Sequence, residues 1–259
     1  MHEWDSGQYL RFADERTRPA ADLLQRVAID RPQRVVDLGC GPGNSTALLR
    51  ARWPEAALCG IDRSEDMLAA ARRGHPGIDF VPGDIGTWRP AAPCDVVFSN
   101  AALQWVGDHE RLIPRLFEAV AGGGALAVQM PRNHDFATHA LMRRVAAEGP
   151  WRERLAGARD PSPVEPPEFY YDLLAPGAER VVVWETNYIQ VMDGVGAIID
   201  WLRGTGLGPF LARLDEAEKP AFLDRYAALL ADAFPRRSDG RILLPYPRLF
   251  FVATKRRSG

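Results

Sequence analysis

At 259 residues, with 46% apolar side chains, the chain is long and apolar enough to bury the core of one large domain or of a domain with a sizeable insertion. A formal charge of −2 and a pI near 6.2 leave no basic excess to hold nucleic acid or an anionic membrane surface, so the expected partners are small molecules. Three scattered cysteines, Cys40, Cys59 and Cys94, exclude a disulfide framework or a CxxC metal site and read as reduced packing residues.

The opening stretch, MHEWDSGQYLRFADERTRP, lacks the basic start and apolar centre of a signal peptide, and no apolar run approaches the length of a membrane span. A cytoplasmic protein is expected. In this arm Trp4, Tyr9 and Phe12 suit a hydrophobic tether and a lid equally well. TRPAADLLQRVA then reads as an amphipathic helix with Pro19 near its first turn, where a missing N–H costs little.

From Arg34 to Met130 short β-rich runs alternate with helical stretches. The strands are RVVDL, ALCGI, IDFVP, CDVVFSN and GALAVQM, and the helices are STALLRARW, SEDMLAAARR and HERLIPRLFEAV, with HPG and AGGG marking joints. This alternation predicts an α/β fold with a parallel sheet covered on both faces. Downstream, THALMRRVAAE is helical and GARDPSPVEPPEFYYDLLAPG is a proline-rich loop ending in a short helix. ERVVVWETNYIQVM and ILLPYPRLFFVATKR form two more strands. Between them GAIIDWLRGTGLGPFLARL and EAEKPAFLDRYAALLADAF read as helices, so residues 192–240 are expected to form a helical cap. The expected organisation is an arm and helix over 1–30, a core over 31–191 and 241–259, and this cap.

In an open α/β sheet ligands bind beyond the carboxyl ends of the strands. The first strand delivers Asp37 and then Gly39, Gly41 and Gly43, a turn that lets a ligand approach the backbone closely. The second ends in Asp62, about twenty residues on, placed to accept hydrogen bonds from a ribose diol. Asp84 and Ile85 follow the third strand, where a carboxylate can accept from an exocyclic amine. The fourth ends in SNAALQW, which sets Asn100, Gln104 and Trp105 near the same crevice. A dinucleotide fingerprint requires a further glycine where this chain has Asn44, which weighs against a nicotinamide dehydrogenase.

Together VVDLGCGPGNST, GIDRSEDML, PGDI and SNAALQW resemble the class I S-adenosylmethionine-dependent methyltransferases across residues 34–130. The resemblance implies a Rossmann-like three-layer sandwich around a seven-stranded mixed sheet with its last strand antiparallel, and S-adenosyl-L-methionine as cofactor. It further implies that Gly39, Gly41 and Gly43 border the methionine part, Asp62 holds the ribose, Met67 packs near the adenine and Asp84 binds the adenine amine. WDSGQYLRFADERTRPAADLL, LQWVGDH, AVQMPRN, AIIDWLRGTGL and LPYPRLFFVATKR more narrowly resemble the trans-aconitate 2-methyltransferase family, which implies a monomethyl ester formed on a carboxylate of an aconitate-like acid.

A carboxylate is already an anion at neutral pH, so no general base and no catalytic residue is nominated; Gln104 and Trp105 are positioning candidates. An acceptor with about three negative charges needs cations and hydrogen-bond donors, for which arginine is well suited. All but two of the 32 Lys and Arg residues are arginine. The candidates are Tyr9, Arg16, Arg18, Gln129, His134, Arg203, Tyr246 and Arg248. An uncharged acceptor would not need those arginines. His2, His75, His109 and His139 read as surface or loop residues, and no pair has metal-ligand spacing, so no metal is expected. No G-x-S-x-G nucleophile elbow is present, and NAALQW lacks the Asn-Pro-Pro-aromatic ending typical of DNA amino-methylating enzymes. A class I methyltransferase acting on another small-molecule acceptor is one alternative, and a cofactor-binding protein without catalysis is the alternative of a different class.

Overall fold

The computed structural model describes residues 13–158, 164–203 and 206–257, with side chains from Thr17 onward. The described chain folds as two compact units. One comprises residues 13–131, 164–186 and 248–257; the other comprises 132–158, 187–203 and 206–247.

Seven strands form one mixed sheet: β1 (Arg34–Leu38), β2 (Ala57–Asp62), β3 (Asp79–Pro82), β4 (Cys94–Asn100), β5 (Val120–Pro131), β6 (Ala178–Met192) and β7 (Ile242–Lys255), in the order β3-β2-β1-β4-β5-β7-β6. The first five are mutually parallel, and β7 runs antiparallel between β5 and β6. The sequence pattern follows from this order. Central β1 is buried from Val35 to Leu38, as an apolar run without alternation requires, whereas edge strand β6 is largely half-exposed.

The first unit covers its strands with α1 (Ala13–Gln25), α2 (Asn44–Arg52), α3 (Glu65–Gly74), α4 (His109–Glu118) and α7 (Pro167–Leu174). Helix α3 starts where Ser64 Oγ accepts from Met67 N at 3.4 Å, with Glu65 and Asp66 at the positive end of its dipole. The end of α1 is tied to α2: Arg52 donates to the carbonyls of Leu24 and Val27, and Trp53 Nε1 to Ile29 O at 3.1 Å. A continuous core runs through Leu38, Val97, Leu116, Leu126, Val128 and Phe251. Each fully buried side chain of this kind contributes about 1.5–3 kcal/mol of transfer free energy.

Strand β5 is longer than its pattern suggests. The glycines of AGGG read as a joint, but the strand runs through them from Val120, which pairs with Cys94 before a register shift. A Cβ on Gly124 would lie 2.6 Å from Asp95 O, so a glycine lets the irregular pairing close.

In the second unit α5 (Ala137–Glu148), α6 (Arg152–Leu155), α8 (Val195–Arg203), α9 (Gly208–Leu211) and α10 (Glu218–Ala233) pack by aromatic and buried polar contacts. Tyr226 donates to Thr138 O at 2.9 Å, Trp151 meets Phe222 edge-on at 5.3 Å, and Trp201 meets Tyr246 edge-on at 5.6 Å. The long helical stretch expected after Met192 breaks into α8 and α9. A Cβ on Gly206 would stand 2.9 Å from His139 Nε2, so the chain passes this ring too closely for a side chain.

Two histidines expected at the surface are buried instead, His109 at 7% and His139 at 4% exposure. An isolated histidine carries no periodic signal, and only packing reveals its place. Among the described residues no helix is long and apolar enough to cross a membrane.

Candidate active site

The turn after β1 divides its glycines by task. Gly39 has φ +74°, and a Cβ there would overlap that of Ala102 beyond β4. Gly43 has φ +94°, and a Cβ would sit 2.5 Å from His75 Cδ2. These two glycines close the turn against the protein itself. Gly41 differs, because a Cβ there would meet nothing within 4 Å, so this edge of the turn can admit a ligand against the backbone. Its N–H donates to Asp62 Oδ2 at 3.0 Å, while Asp62 Oδ1 accepts from Ser64 N at 2.9 Å. The ends of β1 and β2 are thereby tied together.

Asp37 lies beneath this turn with no exposure. Its Oδ2 accepts from Ser45 Oγ at 2.7 Å and Thr46 Oγ1 at 2.6 Å, both from the first turn of α2. Its Oδ1 has no hydrogen-bond partner among the described residues. Burial pushes the carboxyl up to about 6 from an ordinary value near 3.8; the two hydroxyls oppose the shift and the Asp62 charge adds to it. A buried carboxylate with one oxygen unsatisfied suits a cationic or N–H-donating ligand group. Asn44 opens α2 and donates to Thr17 Oγ1 at 3.4 Å, which sets the first half of α1, with Arg16 and exposed Arg18, beside the same turn.

The loop after β3 holds its own shape. Asp84 Oδ1 accepts from Gly86 N at 2.7 Å, and Arg115 of α4 donates to the carbonyls of Ile85 at 2.8 Å and Gly86 at 2.6 Å. Asp84 is exposed, whereas Ile85 and Met67 are buried. At the end of β4, Asn100 Oδ1 is buried with no partner among the described residues, and a 3₁₀ turn (Leu103–Trp105) follows. There Gln104 Nε2 donates to Ala101 O at 2.7 Å, and Gln104 Oε1 is buried with no partner among the described residues.

Within β5 and β7 lies a buried polar pair. Gln129 is opposite Phe250 and Arg248 is opposite Pro131, so the two side chains are diagonal neighbours on one face. Arg248 Nη1 donates to Gln129 Oε1 at 3.1 Å, with Arg248 4% exposed and Gln129 not at all. A guanidinium only donates, so this bond fixes the Gln129 amide with its oxygen toward Arg248. The amide nitrogen then presents two hydrogens for which the described residues supply no acceptor. An acceptor-rich anion satisfies this arrangement.

A family described as methyltransferase domain matches residues 11–165. Trans-aconitate 2-methyltransferase from Azoarcus sp. (strain BH72) is 54% identical over 98% of this chain and 100% of its own length. The protein of the same name from Methylobacterium nodulans is 53% identical over 99% and 100%. The chain belongs to the trans-aconitate 2-methyltransferase family. It is an S-adenosylmethionine-dependent methyltransferase with S-adenosyl-L-methionine as its cofactor. Among solved structures, the YcgJ protein from Bacillus subtilis shares the fold at TM-score 0.60 and 13% identity, over 93% of this chain and 99% of that one. Phosphoethanolamine N-methyltransferase 2 of Haemonchus contortus, solved with phosphomonomethylethanolamine and S-adenosylhomocysteine, shares it at TM-score 0.57 and 17% identity, over 93% of this chain and 53% of that one.

For this member of the trans-aconitate 2-methyltransferase family, the structure gathers Asp37, the glycine turn, Asp62, Asp84, Ile85, Asn100, Gln104, Trp105, Gln129 and Arg248 in one compact unit, most of them at the carboxyl ends of strands. His134, Arg203 and Tyr246 belong to the other unit. There Arg143 donates to His134 O at 2.7 Å, Arg203 stands 3.6 Å from Asp200 on the surface of α8, and Tyr246 packs on Trp201. Tyr9 and the Arg16 side chain lie outside the described residues. Sequence reasoning missed Ser45 and Thr46, although hydroxyls in the first helical turn after a glycine loop are a readable signal. It also missed Arg115, for which no local signal exists.

Proposed function

We propose that this enzyme methylates one carboxylate of trans-aconitate or a closely related polycarboxylate and releases a monomethyl ester. One observation supports this reading above the others: the buried Gln129–Arg248 pair, whose bond leaves the Gln129 amide nitrogen without an acceptor among the described residues. When bound, S-adenosylmethionine supplies an electrophilic methyl group on a sulfonium.

The residues around it divide the work. Asp37 Oδ1 accepts from the amino end of the cofactor, Asp62 from the ribose hydroxyls and Asp84 from the adenine amine, with Ile85 and Met67 as apolar walls. Arg248 and Gln129 hold a carboxylate of the acceptor, and Gln104 and Trp105 orient it. The acceptor is ionised at neutral pH, so the enzyme contributes proximity, alignment and exclusion of water, with no proton to remove.

The test is a panel of polycarboxylates incubated with methyl-labelled S-adenosylmethionine. Label is expected in base-labile ester on trans-aconitate, and replacing Arg248 by Met should strongly reduce it with cofactor binding retained. Cofactor binding without label on any acid would overturn the proposal, and label on an uncharged acceptor would redirect it.

A further inference from the structure

His109 takes no part in the site as read from the sequence, yet it is bound on both ring nitrogens. Its Nε2 lies 3.0 Å from Leu103 O and its Nδ1 lies 2.8 Å from the Tyr170 hydroxyl, while Tyr170 Oη accepts from Glu165 N at 3.2 Å. The directions follow from chemistry. A carbonyl only accepts, so Nε2 carries a proton and donates to Leu103; on a neutral ring Nδ1 then accepts from the Tyr170 O–H, whose oxygen in turn takes the Glu165 N–H. All these groups belong to one compact unit.

The chain of bonds joins the first residue of α4, the 3₁₀ turn and α7. The 3₁₀ turn carries Gln104 and Trp105, and Leu103 O is its first carbonyl. Tyr170 is itself locked, unexposed and stacked on Phe251 of β7 at 5.1 Å. The turn needs such support, since it is one turn long and follows Ala101, which sits at φ +54°.

We propose that His109 and Tyr170 are positioning residues for methyl transfer. They clasp the 3₁₀ turn so that Gln104 and Trp105 meet the acceptor in one fixed geometry, and they leave cofactor affinity to the loops after β1, β2 and β3. This rests on the reading of Gln104 and Trp105 as part of the acceptor wall. A clasp of this kind acts on orientation, where a small displacement costs rate rather than binding of the donor.

The experiment compares Tyr170→Phe, His109→Gln, His109→Ala and Gln104→Ala. For each, S-adenosylmethionine affinity is measured by calorimetry, and kcat and KM for the accepted acid are measured separately. Tyr170→Phe removes one oxygen and keeps the stacked ring. It should lower kcat/KM about tenfold with cofactor affinity within about twofold of wild type. His109→Gln retains a donor near Nε2 and should recover most of what His109→Ala loses. If His109→Ala fails to fold, Tyr170→Phe and His109→Gln still decide the matter. A folded Tyr170→Phe with wild-type kcat/KM overturns the clasp, as does an equal loss of cofactor affinity and turnover, which would mark a general structural role. An inert Gln104→Ala removes the acceptor-wall reading, and the clasp with it. A damaging Gln104→Ala beside a silent Tyr170→Phe removes the clasp alone.

Discussion

In the unit built on the parallel strands a buried carboxyl, Asp37, has one oxygen held by two hydroxyls and the other without a partner among the described residues. In the helical unit a buried imidazole, His139, lies beside the Thr138 hydroxyl at 3.2 Å, and burial together with Arg143 and His134 lowers its pKa to about 4. Both groups resist ionisation, but to different ends. His139 sheds its proton and becomes neutral packing at physiological pH. Asp37 stays ionised above about pH 6 at a cost to folding, with one oxygen left without a partner among the described residues. The difference teaches that burial sets the ionisation of a polar group, whereas an oxygen left without a partner among the described residues shows where a ligand is worth testing.

The sharpest way to break this comparison is at Arg248. Replacement by Met should lower kcat/KM for the acid by about 100- to 1,000-fold, because Gln129 loses its fixed orientation along with the charge. Cofactor affinity, measured by calorimetry, should stay within about twofold.

Asp37→Asn comes next and moves two observables in opposite directions. Cofactor affinity should fall about 30-fold or more, the loss expected for a buried charged acceptor. Stability should rise by about 2 kcal/mol at pH 8, where the wild-type carboxylate is ionised against its environment. The folded-state pKa is raised, so the wild-type protein loses this stability as pH climbs from about 3.8 through about 6. Urea denaturation at pH 4 and pH 8 tests it, and the advantage of Asp37→Asn should shrink at the lower pH. Cofactor affinity of the wild type should weaken as pH drops through about 6, and that of Asp37→Asn should stay flat.

His139→Gln probes the opposite slope in the other unit. Its folded pKa is depressed, so the unfolded chain binds the extra proton and wild-type stability falls as pH drops from about 6.5 to about 4. Removing the imidazole should flatten this acid limb by about 1–2 kcal/mol in denaturation midpoints followed by circular dichroism. Catalysis at neutral pH should be unaffected.

Arg115→Ala should have the smallest effect. Two carbonyl contacts to the Asp84 loop are lost, so cofactor affinity should fall about threefold to tenfold with kcat unchanged at saturating cofactor. An unchanged affinity would show that the Asp84 and Gly86 hydrogen bond holds the loop unaided.

Much of the first unit is readable along the chain because its information is local. Apolar runs end in acids at regular spacing, glycines mark the turn after β1, and Ser64 announces α3. The central part of the site, from Asp37 to Asp84, lies at successive strand ends for the same reason. Legibility fails where a residue's role depends on distant partners. His109 and His139 carry no pattern, Arg115 meets carbonyls about thirty residues upstream, and β5 continues through AGGG because Val120 finds Cys94. The break between α8 and α9 is a partial case: Gly206, Gly208 and Pro209 signal it along the chain, but the close approach of Gly206 to His139 is visible only in the structure.

By itself the sequence determined the donor. The glycine turn and the acids that follow are short-range features whose backbone geometry is set within a few residues, and relatives at about half identity agree on the family. Only the tertiary structure decided which distant polar groups are paired in the core. Gln129 and Arg248 stand 119 residues apart, and neither is remarkable in its own segment. The antiparallel return of β7 beside β5 puts them on one face, and the guanidinium, able only to donate, takes the amide oxygen and leaves the amide nitrogen without an acceptor among the described residues.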